Sequence, residues 1–354
     1  MSDLNPTIAM REGEELDTAL IDRILKSRIA GLEGTPTIRQ FKSGHSNLTY
    51  SITYPARALV LRRPPFGTVP KGGHSMIREF RVMNGLKPAF PAVPHTYFHQ
   101  PKENSELGAE YYVMDLVAGR KLDKKIPAEW GFTSDDNRRL CMAFWDQLIA
   151  LHAVDYAAIG LADFGKPEGY VGRQINGWNG RFEKALTPDV EAFQDVRDWL
   201  VANMPVEEVA GAVLHGDYRL DNVILDEKDP CKILAVLDWE ISALGDPLMD
   251  LGNSLAYWQQ ADDPAGVLAM SMQPSTAPGM LTRAEITAYY GEKTGRDVSG
   301  MTFYHAAGLF RNAAILQQIY YRYYHGQTKN PAFAIFGQMV NLLGNFTRDL
   351  IAKG

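Results

Sequence analysis

Three side chains in this sequence have the types and spacing for phosphoryl chemistry: Asp217, Asn222 and Asp238. The first two lie in Val213-Leu214-His215-Gly216-Asp217-Tyr218-Arg219-Leu220-Asp221-Asn222-Val223-Ile224-Leu225, a polar cluster between two short apolar runs. The third ends the apolar run Ala235-Val236-Leu237 and is followed by Trp239 and Glu240. Moving a phosphoryl group requires a carboxylate to orient the acceptor hydroxyl and oxygen ligands for Mg²⁺ beside the phosphates. A carboxylate and an amide five residues apart on a sharp loop suit those two tasks, and a carboxylate on a neighbouring strand end completes a metal site. Two other readings stand beside this one. His215-Gly216-Asp217 by itself is also what a tight turn with self-satisfied polar groups looks like. His215, Asp217 and Asp238 could also form a hydrolytic metal site, although that reading gives Asn222 no role.

His-Gly-Asp, four residues, Asn, then a strand ending in Asp-Trp-Glu, then Gly245-Asp246-Pro247-Leu248-Met249-Asp250-Leu251, resembles the aminoglycoside phosphotransferase and choline kinase superfamily. The separation of Asp217 from Asn222 equals that in the protein-kinase catalytic loop. The longer strings are similar to the kinase-like domains fused to some acyl-CoA dehydrogenases. The resemblance runs from about Ile38 to Tyr257. It implies Asp217 as the catalytic carboxylate, Asn222 and Asp238 as Mg²⁺ ligands, and Glu240 as a further support of the metal. It also implies that Asp250 braces the catalytic loop, while His215 reads as a loop-bracing residue rather than a proton carrier. Asp246-Pro247 has a local reading, an N-cap and first helical residue opening a helix over Leu248 to Trp258.

The nucleotide side is read further upstream. Ser43-Gly44-His45-Ser46-Asn47 joins two strand-like runs where the family keeps its phosphate-covering loop; backbone N–H groups and the Ser46 hydroxyl there suit phosphate oxygens. The resemblance expects a lysine at the end of the third strand, paired with a glutamate on the next helix. This sequence has Arg62 at that place and Glu79 on the helix. Strand alternation puts Val60 and Arg62 on one face, so Arg62 rather than Arg63 is expected to face the nucleotide. Tyr112 to Val117 resembles the hinge strand, with Met114 as gatekeeper and Asp115, Leu116 and Val117 supplying backbone contacts to a base. No side chain there selects ATP over GTP.

These residues need a frame. Strand patterns occur at Thr37 to Phe41, Asn47 to Tyr54, Ala58 to Arg62, His95 to His99 and Glu110 to Leu116. Helical spacing runs from Leu16 to Leu32, through Met76, Phe80 and Met83, and from Asp135 to Leu151. Two short apolar strands, Ala212 to Leu214 and Lys232 to Leu237, interrupt the later helices. The expected fold is α+β and bilobal, the protein kinase-like fold. Residues 1–117 would form a small antiparallel-sheet N-lobe binding nucleotide, and residues 118–354 a larger, mainly helical C-lobe for catalysis and the acceptor.

Composition bounds the partners. The 354 residues carry a net charge of −6, with 45% hydrophobic and 22% charged residues, so a basic nucleic-acid footprint is not expected. Two distant cysteines, no signal-like N-terminus and no apolar run near the ~20 residues of a membrane span lead to the expectation of a cytoplasmic protein. The implied cofactors are ATP and Mg²⁺, and the partner is a small hydroxyl-bearing molecule. Aminoglycosides are polycations that call for clustered carboxylates. From Ala261 onward there are six acids and eight bases, which disfavours such an acceptor. The aromatic stretch from Phe303 through His325 would be core or, with Arg311, Arg322 and His325, a wall for an anionic or amphipathic acceptor; the similarity to dehydrogenase-fused domains implies hydroxyacyl-CoA as one such acceptor. A nucleotide-binding regulatory module with weak catalysis is the alternative that Arg62 suggests.

Overall fold

Alternating β-branched and aromatic residues make the first part of the chain sheet-forming, and one amphipathic helix covers it. The computed structural model describes residues 7–42, 47–65, 75–206 and 211–354. The expected phosphate-loop residues Ser43, Gly44, His45 and Ser46 lie outside the described residues. In chain order come β1 (Thr7–Ile8), helix α1 (Thr18–Arg28), β2 (Thr37–Phe41), β3 (Leu48–Thr53) and β4 (Ala58–Arg63). Helix α2 (Met76–Leu86), β5 (Thr96–Gln100) and β6 (Tyr111–Asp115) follow. The six strands form one antiparallel sheet in the order β1-β2-β3-β4-β6-β5. Asp17 caps α1 by accepting from the Ala19 and Leu20 amides, and Ile21, Ile24 and Leu25 point inward. They pack with Tyr50, Ile52, Leu59, Leu61 and Val113 of the sheet. Each such side chain fully removed from water stabilises by about 1.5–3 kcal/mol.

The rest of the chain is mostly helical. Strand β7 (Arg120–Lys121) precedes α3 (Ser134–His152), α4 (Tyr170–Lys184) and α5 (Gln194–Ala202). Strands β8 (Ala212–Leu214), β9 (Val223–Leu225), β10 (Ile233–Val236) and β11 (Ala243–Gly245) then lead into α6 (Pro247–Leu255). The chain ends with α7 (Ala265–Ala269), α8 (Arg283–Thr294), α9 (Met301–Tyr324) and α10 (Phe336–Lys353). The α+β, kinase-like architecture expected from the sequence is the one observed. Among the described residues no helix is long and apolar enough to cross a membrane.

Two compact units divide the chain. The first comprises Met1–Lys121, Tyr156–Leu161 and Asn222–Ser242. The second comprises Leu122–Asp155, Ala162–Asp221 and Ala243–Gly354. In the first unit β10, β9 and β7 form a small antiparallel sheet of their own. In the second, β8 pairs with β11, and Phe144 of α3 stacks on Tyr218 and Trp258.

Within the second unit, α6 and α9 meet at bare backbone. A methyl group on Gly252 would lie 2.3 Å from the Tyr304 carbonyl oxygen, and one on Gly308 would lie 2.5 Å from the Gly252 oxygen. Only glycine permits that approach, because the atoms in the way are backbone. Gly308→Ala is therefore expected to destabilise by about 1–3 kcal/mol, read from chemical unfolding; a variant as stable as the parent would show that the crossing has slack.

One turn before Gly308, His305 is buried with its Nε2 unpartnered. Burial, aided by the charge of Arg283, pushes its pKa down from 6.5 to about 3. A depressed histidine contributes stability that is complete above pH 6.5 and is lost as pH falls toward 3, because the unfolded chain takes up the proton first. Over that window the loss is about 1.4 kcal/mol per pH unit. His305→Leu should flatten the stability–pH curve between pH 6.5 and 4.5, and an unchanged slope would contradict this assignment.

Candidate active site

The first unit gathers strand, helix and loop segments around one cavity of about 290 Å³. Val60, Met83, Met114, Leu116, Ile224 and Leu237 supply apolar wall, and Arg62, Glu79, Asn222 and Asp238 supply polar groups. Strand register explains the first of these. Val60 pairs with Met114 and Arg62 with Tyr112, so alternate residues of β4 share the cavity face. Arg63 is buried away from it and donates to the Pro64 carbonyl. Helix α2 brings Glu79 inward, on the face that also buries Met76, Val82 and Met83.

Arg62 Nη1 makes a short ion pair with Glu79 Oε1, and both side chains are largely withdrawn from water. Arg62 Nη2 lies 4.0 Å from Asp238 Oδ1 and 3.9 Å from Glu240 Oε2. Asn47 Nδ2 donates to Glu240 Oε2 at 3.2 Å. Burial works against the Arg62 charge, but Glu79 first, then Tyr112, Asp238 and Glu240, outweigh it and raise its pKa. Burial lifts the Glu79 carboxyl from 4.5 to about 7; Arg62 opposes the lift and the neighbouring Asp238 adds to it.

Asp238 has a backbone φ of 68°, in the left-handed region that non-glycine residues seldom occupy. The Leu237 amide donates to the Asn222 carbonyl at 2.8 Å, which ties the two oxygen-bearing residues together by backbone. Among the described residues no group of three or more His, Cys, Asp or Glu forms a metal cage. Mg²⁺ does not need one, since it is commonly held by one or two protein oxygens together with phosphates and water. The Asp238 side chain is 40% exposed and Arg62 stands at the edge of ion-pair range, so its oxygens remain accessible. The donor set of Asn222 and Asp238 fits a hard cation.

At the expected hinge, the Asp115 amide is used by the His95 carbonyl and the Leu116 amide by the Ala58 carbonyl. Met114, Asp115, Leu116 and Val117 all line the cavity. Lys121 lines it too. The sequence reading missed that residue, because a lone lysine after Gly119 has no distinguishing spacing.

The second unit holds the Asp217 loop. Asp250, fully buried on the first turn of α6, accepts the His215 amide at 2.7 Å and the Gly216 amide at 2.8 Å, one on each carboxylate oxygen. His152 Nε2 lies 3.2 Å from Asp250 Oδ2, and its Nδ1 meets the Tyr290 hydroxyl at 2.8 Å. Burial would raise the Asp250 pKa, but the bonds and charges of His152 and His215 prevail and lower it. The Asp217 amide donates to His215 Nδ1 at 3.2 Å, so His215 is engaged within the loop. Gly216 has φ 83°, the conformation the tight bend requires. Arg311 donates to the Gly216 carbonyl at 3.0 Å, and Gln273 accepts the Leu220 amide at 2.9 Å.

Arg219 pairs with both Asp217 and Asp221, at 3.4 and 3.2 Å. Asp246 caps α6 through the Leu248 amide and accepts the Tyr304 hydroxyl at 2.7 Å. Arg311 is buried beside the loop, whereas Arg322 and His325 are exposed at the far end of α9. Eleven residues of helix, about 16 Å, separate Arg311 from Arg322, so the structure does not gather these three residues.

An antiparallel sheet with a charged strand–helix pair, followed by a helical unit carrying a carboxylate loop, defines a kinase-like phosphotransferase fold. The chain belongs to the phosphotransferase enzyme family, whose sequence profile matches residues 37–285. It is 33% identical over 336 residues to acyl-CoA dehydrogenase family member 10 of Mus musculus, covering 93% of this chain. The chain spans only 31% of that relative's length. Among solved structures, a candidate aminoglycoside phosphotransferase from Ralstonia eutropha JMP134 superposes with TM-score 0.83 and 31% identity, over 96% of this chain and 99% of the other. An aminoglycoside phosphotransferase in a ternary complex with ADP and hygromycin B superposes with TM-score 0.58 and 14% identity, over 94% of this chain and 99% of the other. That last likeness is one of fold.

The Asp250 carboxylate permits a direct test. Replacing it by asparagine keeps the shape but sets an N–H₂ against one of the loop amides. Asp250→Asn should destabilise by about 1–3 kcal/mol, measured by thermal unfolding; a melting temperature equal to the parent's would remove Asp250 from its bracing role.

Proposed function

We propose that this chain transfers the γ-phosphoryl group of ATP to a hydroxyl of a small metabolite, with Asp217 orienting that hydroxyl. The observation that carries the reading is the convergence of Arg62, Glu79, Asn222 and Asp238 on one cavity, from four separate segments. Arg62 would hold nucleotide phosphates, with Glu79 fixing its guanidinium. The apolar wall from Val60 to Leu237 would take the base, and the backbone of Asp115 to Val117 its edge. Asn222 and Asp238, supported by Glu240, would hold Mg²⁺. The bound ion would neutralise charge on the phosphate oxygens.

Asp217 needs only modest basicity for this task, since the transition state is loose and positioning outweighs proton removal. Arg219, 3.4 Å away, helps hold the carboxylate in place. The acceptor is proposed to be a hydroxylated acid or thioester. The relatives named as acyl-CoA dehydrogenase family members support that choice, and so does the excess of bases over acids after Ala261. A nucleotide-binding regulatory module is the second reading, favoured by Arg62 standing where the family resemblance expects lysine.

Asp217→Ala separates them. Transfer to hydroxylated acids and thioesters should fall by about 10²–10⁴-fold, while thermal stabilisation by a non-hydrolysable ATP analogue with Mg²⁺ persists. Undiminished transfer in the variant would refute the role of Asp217. Stabilisation by nucleotide with no transfer by the parent chain to any acceptor would favour the regulatory reading.

A further inference from the structure

Beside the Asp217 loop, the second unit holds two arginines that no carboxylate neutralises. Arg311, from α9, is 8% exposed; its Nη2 donates to the Gly216 carbonyl and its Nη1 is buried without a hydrogen-bond partner. Arg181, from α4, has its guanidinium carbon 3.8 Å from the centre of the Trp178 ring, and that of Arg311 is 5.7 Å from the same ring. Among the described residues neither guanidinium has an acid within 4 Å. Burial first, then the charge of Arg311, lowers the pKa of Arg181.

An arginine over a tryptophan three residues earlier is by itself an ordinary helix-surface pair. A second, buried arginine from another helix changes the balance. Like charges brought to one indole repel, and an unpaired buried guanidinium is costly unless an anion arrives from outside. Nearby acids do not relieve it. Asp217 is engaged by Arg219, and Asp250 by the loop amides and His152. The pKa of Tyr257, raised chiefly by burial, also responds to Arg311, which its hydroxyl meets, and to Asp217, which places Arg311 and the acceptor-orienting carboxylate in one neighbourhood.

We propose that Arg181 and Arg311, on the Trp178 ring, form a subsite for a phosphate or carboxylate group of the acceptor whose hydroxyl faces Asp217. The assignment of that anion to the acceptor rests on the phosphotransfer reading; the existence of the subsite does not. The chemistry follows from the side chains. Two guanidinium forks suit a multidentate oxyanion, and an indole face suits the apolar or planar portion next to it. A polycationic acceptor would be repelled by the same pair.

The test uses the whole chain and a local reporter, the Trp178 indole N–H signal in a nitrogen-15 NMR spectrum, assigned with Trp178→Phe. Sodium phosphate and sodium acetate are titrated separately against sodium chloride at matched ionic strength. Saturable shifts with phosphate or acetate, absent with chloride, are expected. Arg181→Ala, a change at an exposed residue, should weaken that binding about tenfold, and Arg311→Lys should weaken it as well. Whichever anion binds more tightly identifies the oxyanion class. A shift that chloride reproduces, or an affinity that Arg181→Ala leaves unchanged, overturns the subsite.

In the transfer assay, Arg181→Ala should raise KM about tenfold for hydroxylated acids and leave their uncharged methyl esters unaffected, with kcat retained. Equal KM values for parent and variant would overturn the assignment of the anion to the acceptor. Absence of transfer by the parent chain would count against the phosphotransfer reading, while the NMR titration still decides the subsite.

Discussion

Much of the second unit's chemistry depends on one buried carboxylate. Asp250 has no access to water, and each of its oxygens receives a backbone N–H from the loop that carries Asp217. A charge in such a place persists only when its neighbours replace the lost hydration. Two amides and His152 do so here, with Tyr290 meeting the other ring nitrogen of the histidine. The consequence is directional. With its two preceding residues fixed at their amides and Gly216 held by Arg311 at its carbonyl, Asp217 is positioned by backbone, before any substrate contact. The close approach of α6 and α9 at Gly252 and Gly308 matters for the same reason, because α6 carries Asp250 and α9 carries Arg311.

The first unit solves a different electrostatic problem. Arg62 and Glu79 are both buried, and Asp238 and Glu240 stand close to the guanidinium. One arginine therefore faces three carboxylates within about one side-chain radius, which keeps it charged and immobile. A lysine ammonium is a compact, strongly hydrated point charge whose three donors radiate from one atom. The planar fork of arginine can address Glu79 through one nitrogen while the other faces Asp238 and Glu240. The substitution relative to the family expectation is thus coupled to the acidic neighbours this chain supplies. Bound phosphates and a cation would redistribute those same charges.

The longer strands of the first sheet were legible because β-branched and aromatic residues cluster between turn residues; Thr37 to Phe41 matches its observed strand at both ends, as does Ala212 to Leu214 in the second unit. The cavity-facing side of β4 followed from the two-residue period alone. Other features left no local trace. His152 and Asp250 are 98 residues apart, and the histidine sits in a helix whose pattern reads as ordinary core. The inward turn of Glu79 came from the family resemblance alone, because by helical spacing a glutamate beside an apolar face usually points to water. Strands as short as β1 and β11 fall below what periodicity can reveal.

The composition of the two units was also invisible in the sequence, and it alters how the motif is understood. A division at residue 117/118 places Asp217, Asn222 and Asp238 in one block. The observed packing assigns Asn222–Ser242 to the first unit, with the Arg62–Glu79 pair, and leaves Asp217 in the second. The five-residue spacing between Asp217 and Asn222 is then more than a convenient loop length. It is the stretch of chain over which the polypeptide passes from the unit that fixes the carboxylate to the unit that holds the oxygen donors. The 3₁₀ turn at Leu220–Asn222 falls at that passage, and Gln273 anchors its first amide. Insertion or deletion of one residue there would alter that covalent link and shift the buried Tyr218 and Leu220 between its ends. That is a physical reason for the motif to be defined by spacing as well as by residue type.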